Sequence, residues 1–206
     1  MQLGFYFNAD SCIGCRACAA ACKDKNDLAI GKKFRRVYDY AGGGWSVEDG
    51  VCTYEDVFVY SLSTSCNHCE NPICVANCPT GAMTKRPEDG VVYVREELCV
   101  GCKMCVMSCP YHQPRYDEAR GCSTKCDLCR SLIDAGENPA CVDACVTRAL
   151  QWGDIEELRK QYGDCSWIAP LEKDLGTHPS VVFTPSRMNP DGALEGTVTN
   201  EAEELL

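Results

Sequence analysis

Sixteen of the nineteen cysteines in this 206-residue chain stand in four groups of four. Cys12, Cys15, Cys18 and Cys22 follow the spacing C-x2-C-x2-C-x3-C, which Cys99, Cys102, Cys105 and Cys109 repeat. Cys66, Cys69, Cys74 and Cys78 widen the middle gap to four residues, and Cys126, Cys129, Cys141 and Cys145 widen it to eleven. Thiols at this density could serve disulfides, structural zinc or iron–sulfur clusters. The odd total, a start from Met1 to Phe7 with no leader features, and cysteines two residues apart on helical turns argue against disulfides. Four-thiolate zinc needs only two C-x2-C pairs and has no use for a third cysteine at that interval. The first and third groups instead match the bacterial ferredoxin run, and Pro110 and Pro79 follow Cys109 and Cys78 as that run requires. The chemistry predicted is one-electron transfer at four [4Fe-4S] cubes.

A tight C-x2-C-x2-C loop wraps three thiolates round one cube, while the fourth cysteine lies a helical turn further on and reaches the next. Clusters therefore come in pairs. Proximity joins the second and third groups: Cys66, Cys69, Cys74 and Cys109 on one cube, Cys78, Cys99, Cys102 and Cys105 on the other. Chain symmetry then pairs the outer groups, with Cys12, Cys15, Cys18 and Cys145 on a third cube and Cys22, Cys126, Cys129 and Cys141 on a fourth. Cys52, Cys122 and Cys165 are left over, and Cys122 is expected to be a bystander despite lying four residues before Cys126. Arg16, Lys23, Lys103 and Lys125 adjoin ligands in sequence; they either raise the potential of neighbouring cubes or simply face solvent.

These loops need short elements to position them, and the pattern predicts an α+β fold of two ferredoxin-like modules, one nested in the other. The outer module takes residues 1–30 and 113–165, with a strand at Leu3 to Phe7 paired to Ala149 to Trp152 and a helix over Arg16 to Lys25. The inner module takes residues 62–112, with a hairpin of Ala82–Lys85 and Val91–Val94 round a Pro and Asp-Gly turn. Residues 31–61 form an insertion rich in aromatics and glycine, either a docking surface or a packed hairpin. Asp154 and Glu157 resemble a capping box for a helix from Ile155 to Tyr162. Residues 166–206 form an extended strap, frayed at Glu201 to Leu206.

Other chemistries find little support. A formal charge of −10 lacks the basic footprint of a nucleic-acid binder. No run approaches the ~18 apolar residues of a membrane span. Arg35-Arg36 lies too deep in the chain, without a following apolar segment, to be an export signal. Gly42-Gly43-Gly44 lacks the dinucleotide fingerprint, and three histidines make a histidine metal site unpromising. No catalytic residue or small-molecule substrate site is expected.

On these motifs the chain resembles the iron–sulfur electron-transfer subunits of the dimethyl-sulfoxide reductase family. Cys12-Ile13-Gly14-Cys15-Arg16-Ala17-Cys18, Phe34-Arg35-Arg36-Val37-Tyr38 with Trp45, Cys66-Asn67-His68-Cys69, Cys99-Val100-Gly101-Cys102 and Thr124-Lys125-Cys126-Asp127-Leu128-Cys129 carry the likeness across nearly the whole chain. The resemblance implies the same crossed ligation, with Cys105 retained for four [4Fe-4S] cubes. It also implies a large catalytic subunit binding molybdopterin with molybdenum or tungsten, and an integral membrane subunit that oxidises quinol. The subunit would then be soluble or peripheral to the membrane, reaching the extracytoplasmic face with a signal-bearing partner or remaining cytoplasmic. Two alternatives stay open: a cluster subunit of another assembly such as a hydrogenase, and a scaffold merely stapled by metal.

Overall fold

The computed structural model describes residues 1–200, so the expectation for Glu201 to Leu206 lies outside the described residues. In chain order the elements are β1 (Leu3–Asn8), α1 (Ala17–Lys25), β2 (Arg36–Glu48), β3 (Val51–Thr64), α2 (Ile73–Ala76), β4 (Met83–Lys85), β5 (Val92–Val94) and α3 (Met104–Ser108). Then follow β6 (Arg115–Asp117), β7 (Cys122–Thr124), α4 (Arg130–Ile133), α5 (Ala140–Asp143), β8 (Leu150–Asp154), α6 (Ile155–Tyr162), β9 (Val181–Thr184) and β10 (Gly196–Val198). Short helices and small sheets make this an α+β fold of two ferredoxin-like modules.

β1 is the middle strand of the larger module's sheet, in the order β8-β1-β9. Its pairing with β8 is antiparallel, Phe5 opposite Trp152, as the sequence predicts. The parallel partner β9, with Phe5 opposite Val181, comes from the stretch expected to be an irregular strap. Central position explains why five consecutive residues of β1 are buried rather than alternating. On one face, the Tyr6 ring stacks on Tyr162 of α6 at 3.7 Å between centroids. Asp154 caps that helix by accepting a hydrogen bond from the Glu156 N–H at 3.0 Å. The predicted reciprocal arm is replaced, because Glu157 reaches forward to Lys160 at 2.7 Å. Asp154→Ala should cost about 1 kcal/mol of stability, read as a lower urea midpoint with an unchanged slope.

β2 and β3 form one long hairpin that runs to Thr64, past the expected limit of the insertion at residue 61. The register slips between Gly42 and Gly44. There Gly43 adopts φ +90°, and a Cβ would sit 2.5 Å from the Asp56 carbonyl oxygen, so only glycine suits the bulge. The base of the hairpin is packed through Val37, Tyr40, Phe58, Tyr60 and Leu62. Its tip exposes Trp45, Val47, Val51 and Tyr54. The base thus fits the packed-hairpin reading of the insertion. β10 adds to β2, a second strand drawn from the strap.

The smaller module has little apolar material. Its β4–β5 hairpin pairs Met83 with Val94 and Lys85 with Val92. Its core cluster consists of buried Cys74, Met83, Val92 and Cys105. The N-terminal strand ties the two modules together, with the Leu3 N–H bonded to the Asp89 carbonyl at 2.8 Å. Arg86 binds the Asp89 carboxylate and also Asp134 beside α4. Burial alone would raise the Asp89 pKa, but the Arg86 guanidinium and the Val91 N–H outweigh it and hold the carboxyl below its usual range.

Candidate iron–sulfur centres

None of the nineteen cysteines forms a disulfide. Packing of α2 on α3 brings the second and third groups together. Cys66, Cys69, Cys74 and Cys109 line one small cavity, together with Val92 and Lys125 among others. Cys78, Cys99, Cys102 and Cys105 line another, beside Met83 and Ser123. Each cavity is lined by cysteines of both groups.

Packing of α1 on α5 does the same for the outer groups. Burial pushes the Cys12 thiol up to about 11; the Gly14 N–H opposes this, and Cys18, Cys145 and Cys15 add to it as neighbouring sulfurs. Cys22 rises to about 12 through burial and then through Cys141, with Cys129 also contributing. Cys126 is fully enclosed and raised by burial and by Cys22. In the inner module burial and neighbouring sulfurs carry Cys69 and Cys74 up to about 12. Such thiols resist ionising individually and call for a partner that binds the thiolate.

The loops are shaped to surround a bulky anionic group. Gly14 and Arg16 take φ of 66° and 59°, and Gly101 and Lys103 repeat this with 68° and 62°. The left-handed residues curl each loop, turning backbone N–H groups inward. Elsewhere Met83 N–H meets Cys78 sulfur at 3.2 Å, Leu128 N–H meets Cys126 at 3.4 Å and Ser123 N–H meets Cys99 at 3.5 Å. Among the described residues no three metal-binding side chains converge on a single ion position. The donor set fits iron–sulfur clusters.

Three buried polar groups lie near these sulfurs, of which sequence singles out only Lys125. Arg35, considered in sequence only as part of a rejected export signal and of the resemblance motif, is 2% exposed and lies over the Phe5 ring at 4.5 Å. It donates to Ser63 Oγ at 3.1 Å and Ser65 Oγ at 2.8 Å, while its Nε has no hydrogen-bond partner. Burial opposes its charge, but Cys141, Cys18, Cys126 and Cys22 outweigh that and raise its pKa. Lys125 is 5% exposed and donates to the Cys126 carbonyl at 2.6 Å and to the Val92 carbonyl. Burial again disfavours its charge, and Cys66, Cys126 and Cys74 reverse the balance. His68 is completely buried between the modules. The raised thiols and the stabilised cations describe one coupled system: the cations answer the sulfurs only in their thiolate form.

Of the four basic residues singled out from sequence, only Lys125 is buried. Arg16 pairs with Asp39 at 2.9 Å, Lys23 donates to the Ala29 carbonyl at 2.6 Å, and Lys103 lies over the Tyr116 ring at 4.2 Å. Cys52 is exposed on the hairpin, and Cys165 donates to the Trp167 carbonyl at 3.0 Å. Cys122 is buried on β7 opposite Asp117. Cys122→Ser should leave the iron content unchanged; loss of about four irons per chain would make it a ligand.

Comparison with known proteins agrees with this chemistry. Residues 57–155 match the family model of the 4Fe-4S dicluster domain, and residues 3–24 match that of a 4Fe-4S binding domain. The B subunit of anaerobic dimethyl sulfoxide reductase from Escherichia coli (strain K12) is 47% identical over 203 residues, covering 98% of each protein. Its counterpart in Haemophilus influenzae is 48% identical over 186 residues, covering 90% of each. The thiosulfate reductase electron transfer subunit PhsB of Salmonella typhi is 40% identical over 162 residues, 78% of each. The chain belongs to the iron–sulfur electron-transfer subunits of the dimethyl-sulfoxide reductase family, non-catalytic carriers of electrons within an oxidoreductase complex.

Proposed function

We propose that this subunit holds four [4Fe-4S] clusters and relays electrons between a large molybdopterin subunit, containing molybdenum or tungsten, and a quinol-oxidising membrane subunit. Cys12, Cys15, Cys18 and Cys145 would hold one cluster, and Cys22, Cys126, Cys129 and Cys141 its neighbour in the outer module. Cys66, Cys69, Cys74 and Cys109 would hold the third, and Cys78, Cys99, Cys102 and Cys105 the fourth. When bound, each cluster supplies a one-electron carrier whose potential follows its charge, hydrogen bonds and exposure. The observation that carries this reading is the pair of inner cavities, each walled by four thiols drawn from two cysteine groups. The protein's own contribution is to exclude water from the central sulfurs, aim N–H groups at them and place Arg35 and Lys125 among them.

The module limits proposed from sequence serve this arrangement: 1–30 with 113–165 outside, 62–112 inside, 31–61 inserted and 166–206 as strap. Trp45, Val47 and Tyr54 at the hairpin tip form an apolar surface suited to a partner subunit. Among the described residues no helix is long and apolar enough to cross a membrane. Membrane association would therefore come through a partner, on the extracytoplasmic face if that partner carries the signal.

The native complex, isolated anaerobically, should contain about sixteen irons per copy of this chain, together with molybdenum or tungsten. Iron well below that value removes the four-cluster reading. A complex with neither heavy metal favours another kind of assembly, such as a hydrogenase.

A further inference from the structure

We propose that His68 is a positioning residue for the outer cluster assigned to Cys22, Cys126, Cys129 and Cys141, donating its Nε2–H to the Cys126 sulfur and raising that cluster's potential. The proposal rests on the ligand assignment above and goes beyond it. His68 belongs to the inner module's first cysteine loop, between Cys66 and Cys69, yet its ring points to a sulfur of the outer module. Its Nε2 lies 3.8 Å from Cys126 Sγ.

The tautomer follows from the surroundings. The Val92 backbone N–H lies 3.0 Å from Nδ1 and has only a hydrogen to offer, so Nδ1 accepts. The ring's single proton is then on Nε2, facing the sulfur. An imidazolium would set a second N–H against Val92 N–H. His68 is therefore a neutral donor held in one orientation.

Its backbone is fixed as firmly as its ring. The His68 carbonyl accepts from Gln2 Nε2 at 2.8 Å and from Ser180 Oγ at 3.0 Å. Lys125 closes the circuit by donating to both the Val92 and Cys126 carbonyls. Val92, His68, Cys126 and Lys125 thus form a closed polar ring across the seam between the modules. A hydrogen bond to a ligand sulfur is strengthened when the group it binds gains negative charge, so it favours reduction.

The native complex carrying His68→Leu or His68→Gln separates this role from mere packing. Gln keeps an N–H near the Nε2 position; Leu fills similar space with no donor. In EPR-monitored redox titrations, His68→Leu should lower one cluster's reduction equilibrium about tenfold, equivalent to ~59 mV for one electron. The other potentials should stay, and His68→Gln should recover most of the shift. No shift in His68→Leu, or equal shifts in both variants, overturns the proposal. If His68→Leu loses the cluster, pulsed EPR of the wild-type complex labelled with 15N-histidine decides. A nitrogen coupling to one reduced cluster that vanishes in His68→Gln supports the assignment, and its absence refutes it. The wild-type iron count tests the ligand assignment separately, before any variant is made.

Discussion

Anaerobic removal of iron by a chelator is expected to unfold the inner module while leaving the sheet around β1 partly intact. In the inner module's core cluster the only buried residues that are not cysteines are Met83 and Val92. Burying two such side chains contributes about 2–3 kcal/mol each. Ordering the backbone of the module costs about 1–2 kcal/mol for every residue fixed. Apolar packing falls far short, so the missing stability must come from bonds to metal. The sheet around β1 differs, since Phe5, Phe7 and Leu150 share one larger core with Phe34, Val37 and Phe58 of the hairpin and with Leu62. Hydrogen exchange after iron removal should show free exchange at residues 83–85 and 92–94, with protection retained in β1 and β2. Persistent protection at Val92 would mean that the inner module stands without its clusters.

Lys125→Met and Arg35→Leu should each depress the potentials of the clusters nearest the lost charge. A buried unit charge about 6 Å from an added electron, at an effective dielectric near 20, is worth about 3 kcal/mol. That is roughly two decades in the reduction equilibrium. Lys125 stands among Cys66, Cys74 and Cys126, so its loss should be felt by one cluster of each module. Arg35 stands among Cys18, Cys22, Cys126 and Cys141, so its loss should be felt by both outer clusters and spare the inner ones. Titrations in which Lys103→Met has the larger effect would reverse this ordering, because Lys103 is spent on the Tyr116 ring at the surface.

The cysteine framework was legible because ligand spacing is a local property of a helical turn. The same holds for the β4–β5 hairpin, whose turn chemistry lies between its strands, and for the Asp154 cap. The β1–β8 pairing could be found by matching the ends of the nested modules. What sequence concealed depends on distant segments. β9 looked irregular because its prolines flank the strand, and its partner lies at the opposite end of the chain. The burial of Arg35 was hidden, since nothing nearby in sequence reveals four cysteines packing around it. His68 was set aside when histidine ligation was judged unpromising, though the ring touches a sulfur without being assigned to a metal. Burial of a polar group is decided by whatever packs against it, and that information is not local.

The placement of β1 between β8 and β9 also orders events in time. A ribosome delivers the strand from Leu3 to Asn8 first, yet one of its flanking strands arrives only with Val181 to Thr184. The inner cysteine loops emerge well before that and need only each other. Assembly should accordingly mature from the inner loops outward, with β1 kept waiting, one edge bare, until Val181 to Thr184 has been made.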